Sequence, residues 1–387
     1  MSEAVTAEEE CEAAALLADL VAIPSVNPRD EPAEARPYGE ERIANFVAEC
    51  AAGFGAEVEM EQVLPGRPNV YGVLGNAADV RLILETHLDT VAADKESELL
   101  RPRVEEHRLY GRGACDAKAS LAAMLLACQG ARRRLQGGLL LAAVVDEEHQ
   151  FLGVQALLRR KPQARLVVVG EPTDLRPVVA TKGCVRFQVT VRGKAAHTAA
   201  PEAGINAVVQ ACRVITALEE QLAPTLSARQ HRLVGPPTLA VTRIRGGTEV
   251  NVAPAECSFH VDRRIIPGET PQEALGQIMC LLEELRAREP ELDVTLGAPY
   301  LVDPPLDQSP GQPAVQSFLR VCQRVLGEAS PSGVAFSTDA SKFAQAGLPA
   351  LVFGPGNIAQ AHAADEWVDV RQVALAARVY AEAAVAL

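Results

Sequence analysis

No run of the 387 residues approaches the roughly 20 consecutive apolar positions that cross a membrane. The first residues, MSEAVTAEEECEAA, are acidic where a secretory signal is basic, so the expectation is a soluble, cytoplasmic protein. No Cys-x-x-Cys pair occurs. The nine cysteines are scattered singly from Cys11 to Cys322, and an odd, dispersed set fits reduced thiols better than a disulfide framework. A basic face is missing as well: the net charge is −13 with acidic residues spread along the chain, which argues against nucleic acid as a partner. Short repeats and low-complexity tracts are absent, which excludes solenoids and leaves no segment resembling disorder.

What is present is an ordinary globular composition, 48% hydrophobic and 22% charged, in a chain longer than one hydrophobic core usually serves. Two packed units are therefore expected. Glu8 to Ile23 is helical in period and stops at Pro24; Glu40 to Gly53 is a second amphipathic helix ended by glycine. Three apolar runs, from Arg81, from Gly138 and from Ala164, read as buried strands alternating with helices over Ala117 to Gln136 and Gly153 to Arg160. That alternation predicts an α/β fold with a mixed, largely parallel sheet sandwiched by helices. After Pro177 the period changes. Strands over Lys182 to Val191, Leu239 to Arg245 and Cys257 to Arg263, with helices over Asn206 to Leu222 and Thr270 to Glu289, predict a smaller inserted α+β domain. The expected division is residues 1–179 and 297–387 for the first domain, with 180–296 inserted.

In open α/β sheets ligands sit beyond the carboxyl ends of the strands. The residues there are His87-Leu-Asp89, Asp146-Glu147-Glu148, Gly170-Glu171-Pro172 and, after the late strand Pro349-Ala-Leu-Val-Phe353, His362. Asp116 precedes a helix. Imidazoles and carboxylates gathered at one edge suit zinc without any thiolate. Taken singly, a strand-end acid is more often a helix cap or a solvated charge, and Asp116 alone reads as a cap. The adjacency of Glu147 and Glu148 changes the balance, because neighbouring carboxylates repel unless one meets a cation and the other holds or moves a proton. Gly111-x-Gly113 is no dinucleotide fingerprint, since the third glycine would fall at Asp116, which repels phosphate. Cys115, with no histidine paired to it in sequence, reads as a small buried thiol.

Together, Thr86-His-Leu-Asp-Thr90, Gly111-Arg-Gly-Ala-Cys-Asp-Ala-Lys118, Asp146-Glu-Glu148, Gly170-Glu-Pro-Thr173, Gly193-Lys-Ala-Ala-His197, Asn251-Val-Ala-Pro254 and Asp262-Arg-Arg264 carry a resemblance over nearly the whole chain. The sequence resembles the zinc peptidase and deacylase family of acetylornithine deacetylase, succinyl-diaminopimelate desuccinylase, aminoacylase and carboxypeptidase G. Gly354 to Glu366 is most similar to acetylornithine deacetylase. The resemblance implies two Zn2+ ions, replaceable by Co2+, with His87 and Glu171 on one, Glu148 and His362 on the other, and Asp116 bridging. It implies that Asp89 steadies His87, that Glu147 is the general base, and that the peptide bond after Asp116 is cis. It further implies a homodimer through the inserted domain, in which His197 serves the partner's site, and substrate contacts from Asn251, Arg264, Ser337 and Thr338. The substrate class implied is a small N-acyl, above all N-acetyl, amino acid. The alternatives are a dinuclear zinc dipeptidase or exopeptidase and a non-catalytic binding relative, the last disfavoured because no ligand or base is missing. Two departures stand out: Asp116-Ala-Lys-Ala119 replaces the family's Asp-Met-Lys-Gly, and Ala92 and Ala93 stand where a proline is usual.

Overall fold

The computed structural model describes residues 4–29, 39–92 and 98–387, so Ala93 lies outside the described residues. The chain divides into two compact units. One comprises 1–179, 308–332 and 338–387; the other comprises 180–307 and 333–337.

The first unit is built on a mixed sheet whose strands run, in spatial order, Glu57–Leu64, Arg67–Gly75, Gly138–Val144, Val80–His87, Leu166–Val169 and Ala350–Val352, followed by Val178–Thr181 and Ser332–Val334, which begin in this unit and end in the second. Its centre is parallel: Gly138–Val144, Val80–His87, Leu166–Val169 and Ala350–Val352 all point the same way. This is why their carboxyl ends meet at one edge. Every residue of Gly138–Val144 and Leu166–Val169 is buried, as strands covered on both faces must be, and their unbroken apolar runs follow from that burial. The hairpin Glu57–Leu64 with Arg67–Gly75 was not expected from sequence. Its first strand carries alternating acids and its second contains Pro68 and Gly72, which mask the strand period.

Helix Ala7–Val21 begins with a capping box, in which Thr6 accepts the Glu9 N–H and the Glu9 carboxylate returns to the Thr6 N–H. Helix Lys118–Ala131 is buried along most of its length. Gly170 lies where that helix crosses the sheet: a Cβ there would come within 2.7 Å of both Met124 Cε and Ser120 Cβ, so only glycine allows the approach.

The second unit is an antiparallel sheet in the order Thr238–Gly246, Glu256–Ile265, Gly183–Arg192, Asp293–Leu296. Helices Ala207–Ala217 and Pro271–Arg288 cover one face, packing on Val185, Phe187, Val189, Phe259 and Val261. The unit runs on past Leu296 because Leu301–Asp303 adds to the same sheet, with Leu301 opposite Arg186 and Asp303 opposite Cys184.

Candidate metal centre and active site

Four parallel strand ends and one turn supply the site. His87 closes its strand, Glu147 and Glu148 follow Val144, Glu171 follows Val169 after a single glycine, and His362 stands in the segment after Val352. Asp116 comes from the turn before helix Lys118–Ala131. It does not cap that helix: the N-cap position is Ala117, with no side-chain cap. The Asp116-Ala117 bond is cis, as expected.

The Asp116 carboxylate divides between two imidazoles. Oδ1 lies 3.1 Å from His87 Nε2, and Oδ2 lies 3.2 Å from His362 Nε2. Glu171 Oε1 is 3.9 Å from His87 Nε2, while Glu148 Oε1 is 3.0 Å from His362 Nε2. Donor atoms of His87, Glu147 and Glu171 lie within 4.8 Å of one another, as do those of His87, Asp116 and Glu148. Imidazole nitrogen and carboxylate oxygen without sulfur is a donor set that fits zinc.

The electrostatics follow from burial and pairing. Burial opposes ionisation of Asp116, but hydrogen bonds with His362 and His87 outweigh it and hold the carboxyl well below the ordinary range. Burial pushes Glu147, Glu148 and Glu171 up. The Asp116 and Glu148 contacts push His362 up to about 10. Beside the cluster Cys115 is buried, its Sγ 3.4 Å from the Asn357 carbonyl oxygen, and burial followed by the charge of Asp116 pushes the thiol well up. That environment disfavours the thiolate a nucleophile needs.

The model of peptidase family M20/M25/M40 matches residues 83–386. The chain belongs to that family. It is accordingly a hydrolase acting on amide bonds. The M20 chain is 33% identical over 341 residues to a protein named acetylornithine deacetylase from Myxococcus xanthus, covering 86% of this chain and 88% of the relative. It is 30% identical over 367 residues to one of the same name from Proteus mirabilis, covering 92% and 91%. Among solved structures, a dinuclear metal-binding M20 peptidase from Bacillus subtilis superposes with TM-score 0.72 at 16% identity, over 98% of both chains. A tripeptidase from Staphylococcus aureus does so with TM-score 0.77 at 20% identity, over 97% and 98%. These two share the fold.

Around the M20 cluster the structure adds residues that sequence reasoning did not single out. His87 Nδ1 donates to the backbone carbonyl of Asp89 at 2.8 Å, leaving Nε2 facing the cluster. The Asp89 carboxylate is farther from that nitrogen, at 3.6 Å. It also accepts the backbone N–H groups of Glu147 at 3.1 Å and Glu148 at 3.0 Å. Asp89 thus meets His87 through its main-chain carbonyl and through a carboxylate that also holds the neighbouring loop. Asn27 Nδ2 donates to Asp89 at 2.7 Å and to Asp146 at 3.1 Å, and Arg67 joins Asp146 at 2.9 Å to the buried Glu40. The left-handed Asp146, at φ 67°, is fixed by this pair of donors. Glu366 accepts from the turn that carries Asp116.

The remaining nominated residues come from other stretches of the chain. His197 is exposed on the short strand Ala196–His197, opposite Val252, and its Nδ1 accepts the Ala199 N–H at 3.1 Å. It caps no helix; Asn206 caps the following one with its own side chain. Asn251 is exposed, with its carbonyl accepting the Thr198 N–H. Arg264 Nε is paired with Asp262 Oδ1 at 2.7 Å. These three and Ser337 belong to the second unit. Thr338 is buried in the first, where its Oγ1 accepts the Ala340 N–H at 3.3 Å.

Proposed function

We propose that this chain is a zinc-dependent amidohydrolase that cleaves a small N-acyl amino acid, with N-acetylornithine or a close analogue as the leading substrate. The observation that carries the reading is the Asp116 carboxylate, one oxygen toward His87 and the other toward His362. A carboxylate so divided would be placed to serve two cations at once. His87 and Glu171 would complete one position, and Glu148 and His362 the other. The names of the relatives at 33% and 30% identity support the substrate class. Zinc, or Co2+ in its place, would supply the positive charge that acidifies an attacking water and polarises the amide carbonyl.

Glu147 is the general base in this reading. Burial makes its carboxylate a stronger proton acceptor than an exposed glutamate, and it lies within 4.8 Å of the donor atoms of His87 and Glu171, where it can reach a water held by the cluster. It takes one proton from water as the water oxygen bonds to the carbonyl carbon. It then delivers that proton to the departing nitrogen, so that a free amine leaves together with a carboxylic acid, which gives up its own proton to the amine or to solvent. Asp89 and Asn27 hold the loop that presents Glu147. His197, acting on a partner subunit's site, with Asn251, Arg264, Ser337 and Thr338, supplies contacts to oxyanion and substrate; these roles rest on the family resemblance. The chain works as a cytoplasmic homodimer, with neither nucleic acid nor membrane as partner.

The experiment is a panel of N-acetyl, N-succinyl and dipeptide substrates on protein whose metal content is measured on the same sample. Turnover led by N-acetyl amino acids, with two metals per chain, is the expected result. Turnover led by dipeptides would overturn the substrate class and leave the metal assignment standing.

A further inference from the structure

Glu366 is fully buried, at 1% exposure, and both of its carboxylate oxygens are occupied by donors from one short turn. Oε1 accepts the backbone N–H groups of Cys115 and Asp116, each at 3.0 Å. Oε2 accepts the Gly113 N–H at 3.1 Å and Arg112 Nη1 at 2.6 Å. The main chain continues the link: the Gly111 N–H donates to the Glu366 carbonyl at 3.0 Å, and Arg112 Nη2 reaches the Ala363 carbonyl at 3.3 Å. Just beyond, Trp367 pairs with Tyr110 in an antiparallel ladder. Gly113 allows the turn to close on the carboxylate. Its φ is +82°, and a Cβ there would meet Thr90 Cγ2 at 2.8 Å.

The two segments joined here carry Asp116 and His362, the pair whose contact is 3.2 Å. We propose that Glu366 is a positioning residue that sets Asp116 against His362 and thereby governs affinity at the metal position of Asp116, Glu148 and His362. The proposal rests on the two-metal reading of the site. Its reasoning is that neither residue is held there by a regular element of its own. Asp116 stands on an irregular turn before its helix, and His362 has a left-handed backbone, at φ 61°. A carboxylate that accepts three amides and a guanidinium fixes the turn, while His362, four residues up the same segment, is carried with it. Asp116 serves both positions, but His87 and Glu171 ride on strand ends, so the position that also uses His362 depends on this link through two of its residues and the other through Asp116 alone. A residue that merely staples the fold would weaken both metal positions alike or neither.

The test is a Co2+ titration of metal-free wild type, Glu366→Gln and Glu366→Asp, followed by calorimetry and visible absorption, with the melting temperature of each metal-free protein measured alongside. Wild type should take up two equivalents. In Glu366→Gln, which puts an amide NH2 toward backbone donors, both equivalents should weaken through the shared Asp116, the one that also uses His362 by about a further 10- to 100-fold. Equal affinities to wild type, or equal losses at both positions, overturn the proposal. If Glu366→Gln fails to fold, Glu366→Asp decides: its retracted carboxylate should weaken the same equivalent by less, and an unchanged ratio of the two affinities overturns the proposal. Wild type binding fewer than two equivalents overturns instead the two-metal reading beneath it.

Discussion

Asp89 Oδ2 accepts the backbone N–H of Glu148 at 3.0 Å. One buried carboxylate thereby ties the strand end of His87 to the loop of the proposed base and ligand, with the Glu147 N–H on its other oxygen at 3.1 Å. Replacing it by asparagine keeps the volume but turns one acceptor into a donor, which must face either a backbone N–H or the Asn27 amide. An unmet buried donor costs about 1–3 kcal/mol, and outer partners of metal ligands typically cost about 10- to 100-fold when lost. Asp89→Asn should therefore fold and lose both metal affinity and turnover in that range. Wild-type metal binding in the variant, measured by titration, would remove the positioning role.

Asn27 bridges the same loop from the far end of the sequence, donating to Asp89 and Asp146 at once. Asn27→Leu leaves two buried carboxylates short of a donor, so its loss should reach about 10-fold or more in turnover. Asn27→Asp adds a third negative charge and should be worse than leucine. A leucine variant with normal kcat and KM would show that Arg67 suffices.

The parallel centre and the cluster at its edge were legible because each strand is an apolar run followed at once by a ligand-type residue, as in Leu166–Val169 followed by Gly170-Glu171. Helix ends were read within a few residues: Glu8 to Ile23 became Ala7–Val21, and Thr270 to Glu289 became Pro271–Arg288. The supports were not legible. Asn27, Arg67 and Glu40 act on residues from a different part of the chain, and nothing local marks an asparagine whose partner is 62 positions away. Glu366 lay within a recognised segment, yet its partners are backbone amides some 250 positions distant, and amides leave no trace in side-chain patterns. The strand after Leu296 was missed because Leu301–Asp303 is three residues long and followed by two prolines.

Glu147 and Asp116 should separate cleanly by mutation. Glu147→Ala removes a proton acceptor outside the proposed ligand set, so both metals should stay while kcat falls by about 100- to 10,000-fold. Asp116→Ala removes the contact common to His87 and His362 and should lose metal as well as activity. Metal analysis of dialysed samples distinguishes the two, and substantial turnover by Glu147→Ala would displace it as the base.

Metal uptake should release protons near neutral pH. In the metal-free protein Asp116 and Glu148 hold the His362 imidazole protonated up to about 10, whereas a metal ligand must be neutral. Each uptake at that position displaces a proton, so apparent affinity should climb with pH until about 10. The same shift fixes the sign for stability. The folded value lies above the ordinary histidine value of 6.5, so this contribution is fully present below pH 6.5 and is lost as pH rises through about 10. Calorimetry of zinc binding in two buffers with different protonation heats checks the release; identical heats would contradict it.

His197 provides the test of shared sites. It is exposed, its ring accepts, among the described residues, only the local Ala199 N–H, and it belongs to the second compact unit rather than the one that carries the imidazole and carboxylate cluster. Such a histidine has no evident structural duty in its own unit, since Asn206 caps the adjacent helix. If it donates to the developing oxyanion at a partner's site, the interaction is made mainly in the transition state, and its removal lowers kcat far more than it raises KM. His197→Ala should therefore lose kcat with KM nearly unchanged and metal content intact. Mixing supplies the decisive outcome. A His197→Ala chain has an intact base, and a Glu147→Ala chain has an intact histidine. A mixed dimer of the two has one site with both groups and one with neither. Co-refolding equal amounts should give mixed dimers as about half of the population, and so about one quarter of wild-type activity from two nearly inactive parents. No recovery, in a preparation shown by mass spectrometry to contain mixed dimers, would place His197 outside the partner's chemistry.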